Sequence, residues 1–343
     1  MERVTLITKP DQGYSLLDSG REQKLERYGD MVLARPDPQA LWEPLLPRSM
    51  WEKADGRYVR GRGGESASGQ GRGGDWLTSK DFPHEWQIAF GGLQFLIRPT
   101  SFKHTGLFPE QLSNWDWVRD VVGVVNSSPK IAPLAPSGLV GRGSQSLALQ
   151  SSAPAVSILN LFGYTGGATL AAAQAGAEVT HVDASKTAVA WARENAALSG
   201  LADAPIRWIV EDALLFVKRE IKRGKKYDGI IMDPPAFGHG PKNELWKIEE
   251  DFLELLRLCE ELLSDQPLFV LINGYAAGYS PLAFAYNLER FVKKYGGSIQ
   301  YGDLAIEQAI SAQTGKVPAH TRGRVQDARL LPCGIFARWQ KGE

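Results

Sequence analysis

The stretch Ile158-Leu159-Asn160-Leu161-Phe162-Gly163-Tyr164-Thr165-Gly166-Gly167 decides the fold of this chain. Its apolar first half predicts a strand, its glycines predict a tight turn, and the alanine-rich run 168–175 predicts a helix that ends at Gly176. Glycine adopts backbone angles that other residues avoid, so such a turn can approach a ligand closely. The first N–H groups of the helix would point at that ligand. By itself, the pattern also fits an ordinary strand–helix joint.

Three further strands are predicted after this turn, at 178–182, 206–210 and 227–232. Each is followed by at least one acid, and these acids are Asp183, Glu211, Asp212 and Asp233. Strands that alternate with helices predict an α/β fold with a doubly wound parallel sheet, which binds ligands at the carboxyl ends of its strands. A single acid at a strand end is usually the cap of the next helix. The whole set favours a binding site.

The four runs resemble the cofactor-binding core of class I S-adenosylmethionine-dependent methyltransferases. They are NLFGYTGG (160–167), VDAS (182–185), VEDA (210–213) and MDPPAFG (232–238). A nicotinamide enzyme would share the glycine turn and the first acid, but it would not be expected to carry the DPP motif. More narrowly, the chain is similar to bacterial large-subunit ribosomal RNA methyltransferases of the cytosine-C5 type and their relatives that lack a PUA domain. Residues 14–42, the segment KHTGLFPEQ (103–111) and residues 329–339 carry that narrower resemblance.

The resemblance implies a Rossmann-like methyltransferase domain of α/β class at 155–343, preceded by a small, mostly-β domain at 1–102. Between them, 103–154 would hold the signature segment, a helix and an irregular linker. The glycine-rich loop 61–74 cannot pack a core, and its arginines are compatible either with phosphate contacts or with an ordinary solvated loop.

S-adenosylmethionine is the cofactor that the resemblance implies. Asp183 would accept hydrogen bonds from the ribose hydroxyls, Asp212 would accept from the adenine amino group, and Gly163 and Gly166 would contact the methionine part. The other predicted cofactor-binding residues are Phe108, Gln111, Asn160, Phe162, Tyr164, Thr165, Ala184, Ala213 and Asp233. No metal ligand is predicted.

Asp233, Pro234 and Phe237 are the predicted catalytic residues. The Asp233 carboxylate and the Pro234 carbonyl could hold an amino or ring N–H, and Phe237 could stack on a flipped base. Cytosine-C5 methylation needs a cysteine thiolate, which in the family follows the fifth strand. Here Asn273-Gly274-Tyr275 follows that strand, so transfer to an exocyclic amine, a ring nitrogen or a non-RNA acceptor is equally compatible. Tyr275 is expected either to line the acceptor pocket or simply to pack.

The composition restricts the function only loosely. The formal net charge is zero, which argues against general polyanion binding but leaves room for a local basic groove. The tail 312–343, with six Lys or Arg against two acids, is the predicted basic patch for RNA. Two cysteines, no apolar run of membrane-spanning length and no signal sequence indicate a cytoplasmic protein without a membrane partner. The alternatives are a small-molecule or protein methyltransferase and a catalytically silent assembly factor.

Overall fold

The computed structural model of this chain describes residues 1–60, 73–127, 155–275, 278–309 and 328–342. The strands of this part of the chain are β1 (Glu2–Thr8), β2 (Tyr14–Gly20), β3 (Gln23–Tyr28), β4 (Met31–Pro36), β5 (Gly56–Val59), β6 (Asp75–Thr78), β7 (Trp86–Phe90), β8 (Leu93–Ile97), β9 (Ser157–Leu161), β10 (Glu178–Asp183), β11 (Ile206–Val210), β12 (Gly229–Met232), β13 (Phe237–His239), β14 (Leu245–Lys247), β15 (Phe269–Gly274), β16 (Ser298–Glu307) and β17 (Leu330–Gln340). The helices are α1 (Arg48–Trp51), α2 (Leu112–Ser127), α3 (Gly167–Gln174), α4 (Lys186–Leu198), α5 (Ala213–Lys222), α6 (Ile248–Leu262) and α7 (Pro281–Tyr295), with a 3-10 turn at Pro109–Gln111.

Within the described residues, the main sheet has eight strands in the order β1-β16-β17-β15-β12-β9-β10-β11. The strands β9, β10, β11, β12 and β15 pair in parallel, and β17 pairs antiparallel with both β15 and β16. The chain runs outward from β9 to β11 and then returns to place β12 on the other side of β9. This reversal is the switch point at which doubly wound sheets bind ligands. The predicted fold class is therefore confirmed.

Apolar side chains cover both faces of this sheet. One buried cluster joins β9, β12 and β15 to α5, α6 and α7, with Phe216, Leu255 and Phe291 among its fully buried members. A second cluster packs α2 and α3 against the opposite face. Helix α4 begins at an N-cap, Ser185, whose hydroxyl accepts from the Ala188 N–H at 3.2 Å.

The amino-terminal part differs from the prediction in its first strand. Strands β2 to β6 form a separate sheet, but β1 pairs in parallel with β16 and completes the edge of the main sheet. The predicted unit 1–102 therefore contributes one strand to the main sheet. The hairpin β7–β8 turns at Gly91 and Gly92 and packs on α4, where the Leu96 N–H donates to Asn195 Oδ1 at 2.9 Å.

Three predicted segments lie wholly or mostly outside the described residues. They are the glycine-rich loop 61–74, apart from residues 73 and 74, the linker portion 128–154 and most of the tail 312–343. In the described part of the chain, no helix combines the length and the apolar character that crossing a membrane requires.

Candidate active site

A cleft opens at the carboxyl ends of β9 and β12, at the switch point of the sheet. Nine of the predicted site residues line it, namely Phe108, Gln111, Asn160, Phe162, Gly163, Tyr164, Thr165, Gly166 and Asp233. The structure adds lining residues that the sequence did not single out as site residues, namely Phe95, Gly106, Leu107, Trp115, Gly167, Ala168, Ile231 and Asn273. The predicted residues Asp183, Ala184, Asp212, Ala213, Pro234 and Phe237 are not among the lining residues.

The glycine turn has a left-handed backbone at three positions. Phe162, Tyr164 and Gly166 have φ angles of 56°, 48° and 92°. Helix α3 begins directly after the turn, and its N-cap residue, Gly166, has no side chain to cap the first N–H groups. Gly167 and Ala168, in its first turn, line the cleft. A helix start of this kind offers N–H donors and the positive end of the helix dipole to an anionic group.

Gly163 is required by packing beneath the turn. A Cβ at this position would overlap the imidazole of His181, which is fully buried on β10. Burial lowers the pKa of His181 to about 3, so the ring is neutral. Its Nδ1 lies 2.9 Å from the Thr169 hydroxyl, which also accepts from Asn160 Nδ2 at 2.8 Å. The imidazole thus supports the turn and fixes the Asn160 amide at the floor of the cleft.

Asp183, at the end of β10, binds the turn through its carboxylate. One oxygen accepts from the Tyr164 N–H and the other from the Ser185 N–H, both at 2.8 Å. Burial raises the pKa of this half-buried carboxyl, although both N–H donors act in the opposite direction. Each carboxylate oxygen retains a further lone pair for a ligand hydroxyl.

Asp212 caps the helix that follows its strand, as a single acid at a strand end usually does. It is the N-cap of α5, and its Oδ1 accepts from the Leu215 N–H at 2.9 Å. Both Asp212 and Ala213 are buried, whereas Ala184 is half-buried after β10. A cap and an adenine contact use different lone pairs of the same carboxylate, so the capping bond leaves the predicted role available.

The signature segment 103–111 lies against the glycine turn. The Thr165 hydroxyl donates to the Gly106 carbonyl at 2.6 Å, and a Cβ at Gly106 would overlap the Trp191 ring. The Phe108 ring packs against Tyr164 and Tyr275, with centroid distances of 5.4 and 5.2 Å. The segment thereby forms the wall of the cleft that faces the turn and the end of β15.

Asp233 follows β12, lines the cleft and is half-buried, and the buried Glu110 lies close enough for its charge to act on Asp233. Burial raises the pKa of Glu110 to about 7. Burial and the charge of Glu110 together raise the pKa of Asp233 to about 7. Glu110 is a site residue that the sequence reasoning missed, because its position in the signature segment gives no sign of its burial.

The segment after Asp233 is anchored by a tryptophan. Trp246 Nε1 donates to the Pro235 carbonyl at 2.7 Å, and the Trp246 ring packs on Phe162 at 5.0 Å. Pro234 is buried, whereas Phe237 is half-buried in β13 and contacts the His239 ring. The structure therefore places Phe237 in a short hairpin beside the cleft rather than in its lining.

Neither cysteine is suited to act as a nucleophile. Cys259 is buried in the apolar face of α6, and burial raises its pKa. Cys333 lies in β17, where its Sγ donates to the Leu331 carbonyl at 3.3 Å. Burial, followed by the charge of Glu110, raises the pKa of Cys333 well above its ordinary value. Both thiols are therefore protonated at neutral pH.

The fold and the cleft define an α/β protein with a ligand site at the switch point of a parallel sheet. A family model described as S-adenosylmethionine-dependent methyltransferase matches residues 138–290. The crystal structure of a SAM-dependent methyltransferase from Agrobacterium tumefaciens is 36% identical, with a TM-score of 0.80 over 99% of this chain and 95% of that chain. This chain belongs to the family of S-adenosylmethionine-dependent methyltransferases.

Other matches share the fold at lower identity or cover a shorter stretch of the chain. A methyltransferase structure from Streptococcus mutans, 20% identical with a TM-score of 0.62, shares the fold over 96% of this chain and 75% of its own. The ribosomal RNA large subunit methyltransferase K/L of Shewanella frigidimarina is 39% identical over 119 residues, which are 34% of this chain and 16% of that protein. The K/L protein of Syntrophotalea carbinolica is 36% identical over 129 residues, which are 37% of this chain and 18% of that protein. The chain thus spans about a sixth of the length of the curated relatives it matches.

Proposed function

We propose that this protein transfers a methyl group from S-adenosylmethionine to a nitrogen atom of a base in ribosomal RNA. The placement of Asp233 carries the proposal. Its carboxyl group lines the cleft directly after β12, and its pKa of about 7 lets it hold or release a proton near neutral pH. The names of the K/L relatives support RNA as the acceptor.

The donors and acceptors around the cleft fit the cofactor. The N–H groups at the start of α3 suit the methionine carboxylate, and the two carboxylate oxygens of Asp183 suit the ribose hydroxyls. Asp212, with Ala184 and Ala213 beside it, would bind the adenine. The remaining contacts of the bound cofactor would come from Phe108, Gln111, Asn160, Phe162, Gly163, Tyr164, Thr165 and Gly166.

The bound cofactor supplies a methyl group that is activated on a sulfonium sulfur. The protein has to align the nucleophile with that methyl group and receive the proton that the nitrogen loses. The ionised Asp233 carboxylate and the Pro234 carbonyl are acceptors for an N–H at this point. Phe237, in its hairpin beside the cleft, would stack on a base that is flipped out of its helix.

The cysteines support nitrogen rather than carbon as the acceptor atom. Attack on C6 of a cytosine requires a thiolate close to the ring. In the described part of the chain, Cys259 is buried in α6 and Cys333 is protonated beside Glu110. Nitrogen acceptors need no such covalent step.

The test uses labelled S-adenosylmethionine and extracts from cells that lack this protein. After reaction, RNA, protein and small molecules are separated, and nucleosides from labelled RNA are identified by mass spectrometry. We expect label in large ribosomal RNA, in a nitrogen-methylated nucleoside. A carbon-methylated nucleoside would contradict the acceptor atom. Label only in protein or metabolites, or no label with intact cofactor binding, would support the small-molecule or protein methyltransferase or the silent module instead.

A further inference from the structure

A chain of buried amides leads from Arg338, on β17 of the main sheet, to the cleft. Asn114, on α2, is fully buried. Its Nδ2 donates to Gln111 Oε1 at 3.1 Å and to Asn273 Oδ1 at 2.9 Å, and its Oδ1 accepts from Arg338 Nη1 at 3.4 Å. Gln111 Nε2 in turn donates to the Tyr275 hydroxyl oxygen at 2.6 Å. Gln111 and Asn273 line the cleft, so the chain ends at the candidate active site.

Arg338 sets the direction of every bond in this chain, because a guanidinium group can only donate. Burial lowers the pKa of Arg338 to about 10, which leaves it protonated at neutral pH. Its Nη2 donates to Gln300 Oε1 at 2.7 Å, and its guanidinium lies 4.6 Å from the Trp117 ring centroid. The fixed cation therefore faces the oxygen of the Asn114 amide, never its nitrogen.

The orientation of the remaining groups follows from that constraint. Since the Asn114 nitrogen faces Gln111, the Gln111 oxygen must accept and its nitrogen must face Tyr275. The Tyr275 oxygen then accepts, and its own O–H proton takes no part in this chain of bonds. Burial, followed by the charges of Glu110 and Asp233, raises the pKa of Tyr275 well above its ordinary value. The hydroxyl group keeps its proton and can donate it.

Tyr275 lies next to residues that line the cleft. Its ring packs on Phe108, which lines the cleft, and it follows β15 immediately after Asn273 and Gly274. We propose that Tyr275 determines acceptor specificity by donating its hydroxyl proton in a hydrogen bond to the methyl acceptor. The recognised atom is a carbonyl oxygen or an unprotonated ring nitrogen of the nucleobase. Gln111, Asn114 and Arg338 are positioning residues that hold the hydroxyl in this direction. The inference rests on the proposed function and names the chemical group that the same site recognises.

Two variants test the direction of the hydrogen bond. Tyr275→Phe removes the O–H. Gln111→Glu keeps the side-chain shape and the bond from Asn114, but its second oxygen accepts from Tyr275 and turns the proton away from the acceptor. At saturating cofactor, we expect each variant to lower kcat/KM for RNA by about tenfold or more. The double variant should lose little more than Tyr275→Phe alone, because both changes remove the same bond.

Three measurements separate this role from a structural one. Thermal unfolding shows whether each variant folds, calorimetry gives its cofactor Kd, and Tyr286→Phe, at an exposed tyrosine, is the matched control. Once the methylated base is known, the atom that accepts the hydrogen bond from Tyr275 can be replaced in the RNA by carbon or sulfur. This analogue should be a poorer substrate than normal RNA for the wild type. Tyr275→Phe should not distinguish it from normal RNA.

The outcomes are distinct from those that test the proposed function. Unchanged kcat/KM in Tyr275→Phe, or a change confined to the cofactor Kd, overturns the role of Tyr275 and leaves RNA methylation intact. If the wild type labels a fraction other than RNA, the proposed function fails and recognition of a nucleobase fails with it, and the same variants assayed on that acceptor show whether the Tyr275 hydroxyl contributes to its recognition. A wild-type protein that labels no fraction overturns both.

Discussion

The carboxylate of Asp183 accepts a hydrogen bond from the Tyr164 backbone N–H, with 2.8 Å between the two heavy atoms. Tyr164 has a backbone φ angle of 48°, which a residue other than glycine adopts only when its surroundings hold it there. The bond joins the end of β10 to the turn after β9. One acid thus shapes the turn, and in the proposed function the same carboxylate accepts from the cofactor ribose.

Asp183→Ala should weaken cofactor binding, because it removes the predicted ribose acceptor and releases the Tyr164 N–H. We expect the cofactor Kd, measured by calorimetry, to rise by more than about fivefold, a loss of more than ~1 kcal/mol. Asp203→Ala is the control and should leave the Kd unchanged. Asp203 is exposed and precedes β11, so it lies at the amino ends of the parallel strands, whereas Asp183 lies at their carboxyl ends. An unchanged Kd for Asp183→Ala would show that the ribose lies elsewhere.

Gly163→Ala should destabilise the fold through His181. The new methyl group would overlap a fully buried imidazole, and overpacking of this kind typically costs about 1–3 kcal/mol. Chemical denaturation measures the loss. Gly123→Ala on α2 is the matched control, since its Cβ would meet no atom within 4 Å and the change should be neutral or stabilising.

A second substitution identifies the overlap as the cause. If the imidazole is the obstacle, Gly163→Ala combined with His181→Ala should cost less than the sum of the single changes. Strict additivity would mean that the strain of Gly163→Ala arises elsewhere.

Local patterns predicted the strands and helices around this turn, because periodicity and turn residues lie close together in the chain. The pairing of β1 with β16 was missed, since it joins residues about 300 positions apart, as between Glu2 and Gln300. In the sequence, His181 is one residue of a predicted strand, and nothing there indicates a role in the site. Its role beneath Gly163 depends on packing between two strands. Glu110 likewise becomes a site residue only through burial beside Asp233. The turn was therefore predictable, whereas the groups that surround it depend on contacts distant in sequence.

Glu110→Gln should shift the pH dependence of methyl transfer. The charge of Glu110 contributes to the raised pKa of Asp233, so its removal lowers that pKa and Asp233 ionises at lower pH. We expect the acid limb of the kcat/KM profile to have a midpoint near pH 7 in the wild type, and to move down by about 1 pH unit in the variant. Glu22→Gln, at an exposed site, should leave the profile in place. The same midpoint in the wild type and in Glu110→Gln would mean that the charge of Glu110 does not act on Asp233 during the reaction.

The same variant should change the pH dependence of stability. The pKa of Glu110 is raised from 4.5 to about 7 in the folded state, so the folded protein binds this proton more tightly than the unfolded chain. The free energy of unfolding of the wild type therefore falls as pH rises from about 4.5 to 7, and the loss is complete above that range. Glu110→Gln should lose on the order of 1 kcal/mol less between pH 5 and 8 in denaturant titrations. If the free energy of unfolding of Glu110→Gln falls as steeply with pH as that of the wild type, ionisation of the buried Glu110 does not cause the loss.

Cys333→Ala should retain methyl transfer, because the thiol is protonated and bonded to the Leu331 carbonyl. We expect kcat/KM within about twofold of the wild type, since no covalent step passes through this sulfur. RNA that contains 5-fluorocytosine traps cytosine-C5 enzymes as covalent adducts, and we expect no adduct on denaturing gels. Loss of activity in Cys333→Ala, together with an adduct in the wild type, would instead show that the enzyme methylates cytosine at carbon.

Trp246→Phe should slow methyl transfer by releasing the segment that carries Asp233 and Pro234. The bond from Trp246 Nε1 to the Pro235 carbonyl, at 2.7 Å, holds this segment against Phe162. Trp42→Phe is a matched control, because Trp42 Nε1 donates to the Ser19 carbonyl at 2.9 Å in the amino-terminal sheet. Each variant loses one hydrogen bond of this kind, worth ~1 kcal/mol of stability. Only the loss at Trp246 frees a group that must be aligned with the methyl group, so kcat should fall about tenfold in Trp246→Phe alone. Equal kcat values in both variants would show that Asp233 keeps its position without this anchor.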